Sequence, residues 1–359
     1  MTVIKVLVVD DSALVRKLIG QVLSTQPDFE VHFARNGREA LAAIPEINPN
    51  VITLDVHMPE MDGLACLDRI MIEHPCPVLM VSSMTANGAD ATLEALRLGA
   101  VDFIAKPTGA VSLRINELAP ELVTKVRAAA QAKLKTSLRL RERVRHRIGR
   151  PPRPSGGGTK SRGAATGEGL VLVGTSTGGP PALEHLLKGL PTSFPWPILI
   201  AQHMPASFTG QLARRLNNLC SLTVTEVSQP VLLQPGFAYI GRGEADLIVS
   251  RRGAGLVAMP APAQADYPWH PSTDRLVRTA LNYFAASQLV GVLMTGMGND
   301  GAEAMALLNE QGGRVIAEAE ETAVVWGMPG ELVKLNGAGY ILPLPEIAEN
   351  LMKLVPACH

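Results

Sequence analysis

The chain has 359 residues, of which 47% are hydrophobic and 18% are charged, and its formal net charge is zero. This length predicts two or three domains, and the composition excludes gross disorder. A net charge of zero provides no general attraction to nucleic acid or to a membrane surface.

The N-terminal segment MTVIKVLVVDD is apolar for only a few residues before it turns acidic, so it predicts a first strand rather than a signal peptide. No apolar run approaches the ~20 residues of a membrane span, and we expect no direct membrane insertion. The cysteines have neither metal-ligand nor C-x-x-C spacing, which predicts a cytoplasmic protein with free thiols. The four cysteines are Cys66, Cys76, Cys220 and Cys358.

The first 125 residues alternate short apolar runs with segments of helical length. This repeat predicts a doubly wound (βα)5 domain with a parallel sheet and helices on both faces. The candidate strands are Lys5–Val9, Val31–Ala34, Val51–Leu54, Val78–Val81 and Asp102–Ile104.

A basic segment follows, and we expect a linker over residues 126–168. From Gln131 to Arg162 there are eleven Lys or Arg and one acid, Glu142, and the segment ends in PPRPSGGGTKSRG. The Pro/Gly/Ser part cannot form a core, which favours a solvated tether. A nucleic-acid or acidic-membrane arm is a minority alternative, because the segment has no aromatic residues.

Residues 169–359 predict a second α/β domain with its own doubly wound parallel sheet. Helices are expected at Phe208–Leu219 and Ser272–Ala286. The candidate strands are Leu170–Gly174, Ile198–Gln202, Ala238–Ile240, Leu247–Ser250, Leu289–Thr295 and Arg314–Ala317.

In the first domain, polar residues follow four of the five strands. Asp10 and Asp11 follow the first strand, Asp55 the third, Ser82 the fourth and Lys106 the fifth. Because the carboxyl ends of parallel strands meet at one sheet edge, these groups should converge. Clustered carboxylates with hard oxygen atoms favour Mg²⁺, and a phosphoryl group on Asp55 would be neutralised by Mg²⁺, Lys106 and the Ser82 hydroxyl.

In the second domain, LVLVGTSTGGP contains G-x-S-x-G as Gly174, Ser176 and Gly178, directly after an apolar strand. A serine on a sharp strand-to-helix turn is exposed as a nucleophile, and N–H groups at the helix start can stabilise an oxyanion. Such a turn can equally be a plain loop or a phosphate cradle. His203 in PILIAQHMPASFTG and Asp300 in LVGVLMTGMGNDG also follow apolar strands, which gives a candidate triad in the order Ser, His, Asp.

An alternative interpretation of the third motif remains open from the residues alone. Gly296, Gly298 and Gly301 form a dinucleotide fingerprint, and Glu318 lies near the offset expected for a ribose ligand. That interpretation would leave Ser176 and His203 without roles.

The first domain resembles response-regulator receiver domains over its whole length. The resemblance implies that Asp55 is the phosphoacceptor and that Asp10 and Asp11 bind Mg²⁺ with Asp55 and the backbone carbonyl of His57. It also implies that three residues take part in the receiver switch: the hydroxyl of Ser82, the aromatic ring of Phe103 and Lys106.

The segments GTSTGG, QHMP, HPSTDRL, MTGMGNDG and ETAVVWGMP resemble the chemotaxis protein-glutamate methylesterases, the CheB family. The resemblance implies that Ser176 is the nucleophile, His203 the general base and Asp300 its orienting acid. It also implies an oxyanion donor at the Met297 N–H, a site-lining role for Thr177, and no metal in this domain.

The function implied by this resemblance is demethylation of glutamate γ-methyl esters, and deamidation of glutamines, on chemoreceptors. A chemotaxis histidine kinase would phosphorylate the receiver, whose unphosphorylated form packs over the hydrolase site. A docking module without chemistry would not need all three triad residue types. A DNA-binding regulator is disfavoured by the zero net charge and the missing helix-turn-helix pattern, so no nucleic-acid partner is expected.

Overall fold

The computed structural model describes residues 3–83, 85–106, 111–134, 169–253 and 255–355. The described N-terminal residues form five strands alternating with five helices. The strands are β1 (Ile4–Val9), β2 (Phe29–Ala34), β3 (Val51–Asp55), β4 (Val78–Ser82) and β5 (Asp102–Ala105). The helices are α1 (Ala13–Ser24), α2 (Gly37–Ile47), α3 (Gly63–Glu73), α4 (Ala86–Leu98) and α5 (Val111–Ala130).

The strands of this unit form one parallel sheet in the order β2-β1-β3-β4-β5. Strands β3 and β4 are buried along their whole length, as their continuous apolar sequences predict for a sheet covered on both faces. After β2 is added on one side of β1, the next strand, β3, is added on the other side, and this change of side opens a crevice at the carboxyl ends of β1 and β3. The predicted doubly wound fold of this half is confirmed.

The C-terminal unit has a larger set of elements. Its strands are β6 (Leu170–Thr175), β7 (Ile198–Gln202), β8 (Thr223–Val227), β9 (Val231–Leu232), β10 (Phe237–Gly241), β11 (Ala245–Arg252), β12 (Gly255–Pro262), β13 (Leu289–Leu293), β14 (Arg314–Glu318) and β15 (Tyr340–Leu342). Its α-helices are α6 (Gly179–Lys188), α7 (Ala206–Leu219), α8 (Thr273–Leu281), α9 (Ala302–Glu310), α10 (Met328–Lys334) and α11 (Leu344–Leu354), and a short 3₁₀ helix spans Ala286–Gln288.

Seven of these strands form a parallel sheet in the order β15-β14-β13-β6-β7-β10-β8. The strands that follow β6 in the chain are first added on one side of it, beginning with β7. Later strands are added on the other side, beginning with β13. The topological switch point therefore lies at β6, between β7 and β13. The doubly wound parallel sheet expected for this half is present.

Several sequence expectations for this unit need correction. The strand expected at Leu247–Ser250 lies in a separate antiparallel sheet, β11-β12-β9, and not in the parallel one. The strand expected to reach Thr295 ends at Leu293, because the chain there turns into a glycine-rich loop. The helix expected to reach Ala286 ends at Leu281, where Asn282 caps it.

Helix α5 continues to Ala130, past the predicted domain end at residue 125. Its last turn packs in the receiver core through Val126 and Ala129, so these residues belong to the receiver and not to a linker. Residues 131–134 follow without regular structure, and the remainder of the expected basic linker lies outside the described residues.

The two units touch each other. Helix α4 packs on α6 and α7, and one hydrophobic cluster contains buried residues from both units. The rings of Phe103 and Phe208 lie 4.4 Å apart at this contact, and Arg215 pairs with Glu94 at 3.3 Å. The receiver thus packs on the two helices that follow the first two strands of the larger sheet.

Cys66, Cys76 and Cys220 are free thiols, while Cys358 lies outside the described residues. Burial raises the pKa of Cys66 and of Cys76 to about 12, so both remain protonated near neutral pH. Among the helices that the structure describes, none has the combination of length and apolar sequence that crossing a bilayer requires.

Candidate active site

The switch point of the larger sheet brings together the ends of three strands. Ser176 follows β6 and His203 follows β7, and these strands pair with Thr175 opposite Gln202. The His203 N–H donates to the Thr175 carbonyl at 3.1 Å, so the chain holds the two residues at one level of the sheet. Asp300 lies in the loop after β13, the neighbour of β6 on the other side.

His203 and Asp300 form a close pair. Nε2 of His203 lies 2.8 Å from Oδ2 of Asp300, and the side chains are 10% and 2% exposed. With the Nε2 proton donated to the carboxylate, Nδ1 becomes the nitrogen that can accept a proton. Nδ1 is buried and has no hydrogen-bond partner among the described residues. A histidine paired through Nδ1 would leave Nε2 free, so this ring has the reverse arrangement of the familiar serine-protease triad.

Asp300 is held by the start of α8. Its Oδ1 accepts from the Ser272 hydroxyl at 2.8 Å and from the Asp274 N–H at 3.2 Å, and its Oδ2 accepts from the Thr273 N–H at 2.6 Å. Burial alone would raise the pKa of Asp300. The hydrogen bond and charge of His203, with these backbone donors, hold that pKa below its usual range. Asp300 therefore stays ionised and can stabilise a charged imidazole.

The loop after β13 lies against the candidate nucleophile. A Cβ on Gly296 would lie 2.9 Å from Cβ of Ser176, so only glycine allows this approach. The Ser176 N–H donates to the Thr295 carbonyl at 3.0 Å, which ties the two loops together. Within the described part of the chain no hydrogen bond uses the N–H of Met297, which leaves that donor available to a substrate oxygen.

The dinucleotide alternative does not fit this loop. Glu318 is fully buried and accepts a hydrogen bond from the Thr295 N–H at 2.8 Å, so it cannot reach a ribose. Gly298 has φ +85° and contacts the indole of Trp269, while Gly301 contacts Thr273. The glycines pack the loop against its neighbours and do not leave space for a pyrophosphate.

Gln202 is a site residue that the sequence reasoning missed. Its Nε2 donates to the carbonyl of Ser176 at 3.1 Å and to the carbonyl of His203 at 3.0 Å. One buried amide thus links the backbone of the candidate nucleophile to that of the candidate base. Its position directly before His203, in the QHMP segment, is the sequence signal that could have identified Gln202.

Ser272 and Trp269 were also missed. Ser272 occupies the N-cap of α8, where its hydroxyl accepts from the Arg275 N–H, and the HPSTDRL segment contains this capping pattern. Trp269 lies parallel to the His203 ring, with centroids 6.0 Å apart and planes 3° apart. No motif among those singled out in the sequence indicated this contact.

Thr177 is buried, and its side chain contacts the receiver. The Thr177 hydroxyl donates to Oδ2 of Asp102 at 2.5 Å. Asp102 is also 3.7 Å from the ammonium of Lys125, which lies over the Phe103 ring and donates to the Phe103 carbonyl. Strand β5, which contains the predicted switch residue Phe103, therefore brings a receiver side chain into contact with the residue next to Ser176.

The receiver's own polar cluster lies at the β1–β3 crevice. Ligand oxygens of Asp10, Asp11 and Asp55 lie within 4.8 Å of one another. The Lys106 ammonium is 2.9 Å from Asp10 and 2.7 Å from Asp55. Burial alone would lower the pKa of Lys106, but these two carboxylates raise it, so the ammonium remains charged.

Two other predicted receiver residues flank this cluster. Ser82 is fully buried at the end of β4, and its hydroxyl donates to the Gly88 carbonyl at 3.1 Å. The His57 side chain is exposed, and the backbone N–H of His57 donates to Oδ1 of Asp55 at 3.4 Å.

Comparison with known proteins finds a matching family for each of the two domains. The family model described as CheB methylesterase matches residues 171–351, and the response regulator receiver domain model matches residues 6–116. A protein-glutamate methylesterase/protein-glutamine glutaminase 2 from Rhodopseudomonas palustris is 55% identical over 98% of both chains. A protein of the same description, numbered 3, from Rhodospirillum rubrum is 51% identical over 97% of this chain and 95% of its own length.

A solved structure supports the assignment of the second half. The crystal structure of the Thermotoga maritima CheB methylesterase catalytic domain has a TM-score of 0.50 and 36% identity. It covers 52% of this chain and 98% of its own. The chain belongs to the CheB methylesterase family and has a response regulator receiver domain in front of the catalytic domain.

Proposed function

We propose that this chain is a phosphorylation-activated hydrolase that demethylates glutamate γ-methyl esters, and deamidates glutamines, on chemoreceptors. The observation that carries the proposal is the buried His203–Asp300 pair. Its free nitrogen, Nδ1, lies at the same sheet edge as Ser176. A base with an ionised carboxylate behind it and a serine at the same sheet edge suits acyl transfer.

In the first half of the reaction, His203 Nδ1 takes the Ser176 hydroxyl proton as Oγ attacks the γ-carbonyl carbon. The carbonyl oxygen becomes an oxyanion, which the Met297 N–H would stabilise. The C–O bond to the methoxy group then breaks as Nδ1 passes its proton to that oxygen, and methanol leaves. Asp300 accepts from Nε2 throughout and stabilises the imidazolium that forms in between.

In the second half, water attacks the acyl carbon while His203 Nδ1 accepts one of its protons. The bond to Ser176 Oγ breaks, Oγ takes the proton from His203, and the glutamic acid product leaves and gives its remaining carboxyl proton to solvent. With glutamine as substrate the same steps release ammonia in place of methanol. Neither route requires a group beyond the residues of this site and water.

In the receiver, Asp10, Asp11, Asp55 and the backbone carbonyl of His57 would hold Mg²⁺. The clustered carboxylate oxygens fit a hard divalent cation, which would neutralise the phosphoryl group during transfer to Asp55. Lys106, within ion-pair distance of Asp55, would then bind the phosphoryl oxygens.

Regulation follows from the contact between the two units. In the arrangement described, Asp102 binds Thr177 beside the nucleophile, and Phe103 packs on Phe208 of α7. Phosphorylation of Asp55 by a chemotaxis histidine kinase would favour a receiver conformation that releases this contact. The cytoplasm, where the kinase and the receptor's signalling region meet, is the expected location.

The test is release of methanol from methylated receptors, and of ammonia from receptors with unmodified glutamines, by the full chain. Wild type should release both, and Ser176→Ala should release neither while unfolding at the temperature of the wild type. Turnover by a folded Ser176→Ala protein would remove Ser176 from its role. Ser207→Ala, on α7 of the same domain, is the matched control and should keep its activity.

A further inference from the structure

Trp269 lies beside the candidate base, and none of the proposed proton transfers or bond changes uses it. Its ring lies parallel to the imidazole of His203, with centroids 6.0 Å apart, which is within the range of distances that aromatic pairs adopt. The residue is half-buried, so part of it remains exposed to solvent.

The same indole also touches the loop that contains Met297. A Cβ on Gly298 would lie 2.8 Å from Cζ2 of Trp269, so the ring rests directly on the backbone there. Trp269 therefore extends from the general base to the oxyanion loop. A leaving group must lie within reach of His203 Nδ1 and next to the carbon held by that loop, which means that the indole borders its space.

A buried network fixes the segment that bears Trp269. Oδ1 of Asp246 accepts from the Ser272 N–H at 2.8 Å and lies 2.9 Å from Nδ1 of His270. Oδ2 of Asp246 accepts from Arg275 at 2.5 Å, and the Asp246 side chain is fully buried. Since Ser272 also binds Asp300, the segment that presents the indole is the one that orients the catalytic carboxylate.

We propose that Trp269 forms the apolar wall of the leaving-group pocket and favours the methyl ester over the amide as substrate. The inference rests on the proposed function and adds a specificity determinant to it. A methoxy group presents a methyl to the indole face and gains from leaving water. A carboxamide NH2 presents two donors, and the indole face gives them no acceptor to replace water.

The experiment measures kcat/KM for methanol release and for ammonia release on the same receptor preparation. Trp269→Ala should lower the ester-to-amide ratio about tenfold, the scale on which a pocket discriminates one methyl group. Trp269→Phe keeps an aromatic wall and should stay within about threefold of the wild-type ratio. Trp269→Gln supplies an amide oxygen as an acceptor, so its ester-to-amide ratio should also fall. This variant provides the test if Trp269→Ala does not fold.

Tyr267→Ala, two residues earlier on the same segment, is the matched control and should leave the ratio unchanged. An unchanged ratio in folded Trp269→Ala or Trp269→Gln would overturn the inference, and so would equal losses of both activities. These outcomes differ from failure of the proposed function, in which the wild type itself would release neither methanol nor ammonia.

Discussion

The hydroxyl of Thr177 donates a 2.5 Å hydrogen bond to Oδ2 of Asp102, and so links the residue after the candidate nucleophile to the receiver strand that ends before Lys106. Both side chains are buried. A hydrogen bond to a carboxylate group in a buried contact is among the stronger hydrogen bonds that hold two domains together. The contact also binds a receiver carboxylate to the residue that directly follows Ser176 in the chain.

Asp102→Asn should therefore raise the activity of the unphosphorylated chain. Replacing the carboxylate by a neutral amide weakens the bond by about 1 kcal/mol, which corresponds to about a fivefold shift towards the open arrangement. The measurement is methanol release without a phosphodonor. Glu121→Gln removes another partner of Lys125 on the exposed side and should behave as wild type. A basal rate in Asp102→Asn equal to that of wild type would argue against this contact as a restraint.

A second polar contact between the two units is the pair between Arg215 of α7 and Glu94 of α4, which we expect to act as a further restraint. Both side chains are about one-third or less exposed, at 26% and 34%, and pairs of this type contribute about 0.2–1 kcal/mol. Arg215→Ala should raise basal methanol release about twofold, and high salt should remove the difference from wild type. Arg214→Ala, at an exposed neighbouring position, provides the control. A difference that persists in high salt would show that Arg215 acts by packing.

Gln202 should be needed for the geometry of the site. Gln202→Met keeps the length of the side chain but loses both bonds to the Ser176 and His203 carbonyls. We expect kcat to fall about 100-fold with KM changed little, because small misplacements of reacting groups have effects of this size. Gln211→Met on α7 is the control. A loss confined to KM would instead assign Gln202 to substrate binding.

Asp300→Asn should lower kcat by about 10⁴, the scale seen when the orienting acid of a triad becomes an amide. It should also change how stability depends on pH. The pKa of Asp300 is lowered on folding, so its stabilising contribution is complete above about pH 3.8, the unfolded value, and is lost as pH falls through the lower folded value.

The check is denaturant unfolding of wild type and Asp300→Asn at several pH values. The difference in the free energy of unfolding should be constant between about pH 6 and 8 and should shrink below about pH 4. A difference that grows in acid would mean that the pKa of Asp300 is raised on folding, opposite to the expected direction.

The sequence predicted the elements on which the site depends because these strands are buried on both faces. Apolar runs such as Leu170–Thr175 and Ile198–Gln202 can be recognised without neighbours, and the residue after each run falls at the sheet edge. The edge strand β8, with its polar sequence TVTEV, and β12, which includes two prolines, lack that pattern and were missed.

Contacts between distant segments were equally out of reach. Asp246 lies on β11, and only folding brings it to Ser272. Trp269 lies on the segment before α8, and only folding brings it to His203. The pairing of Asp102 with Thr177 joins residues 75 positions apart across two units. The choice of Nε2 over Nδ1 for Asp300 depends on how the ring is oriented, which residue spacing does not encode.

The most direct measurement of receiver control over the hydrolase is methanol release from methylated chemoreceptor membranes, with and without a small phosphodonor and Mg²⁺. Wild type should release methanol faster with the phosphodonor, and Asp55→Asn should keep the low basal rate under both conditions. Equal wild-type rates with and without the phosphodonor, in a chain shown to be phosphorylated on Asp55, would contradict control of Ser176 by the receiver.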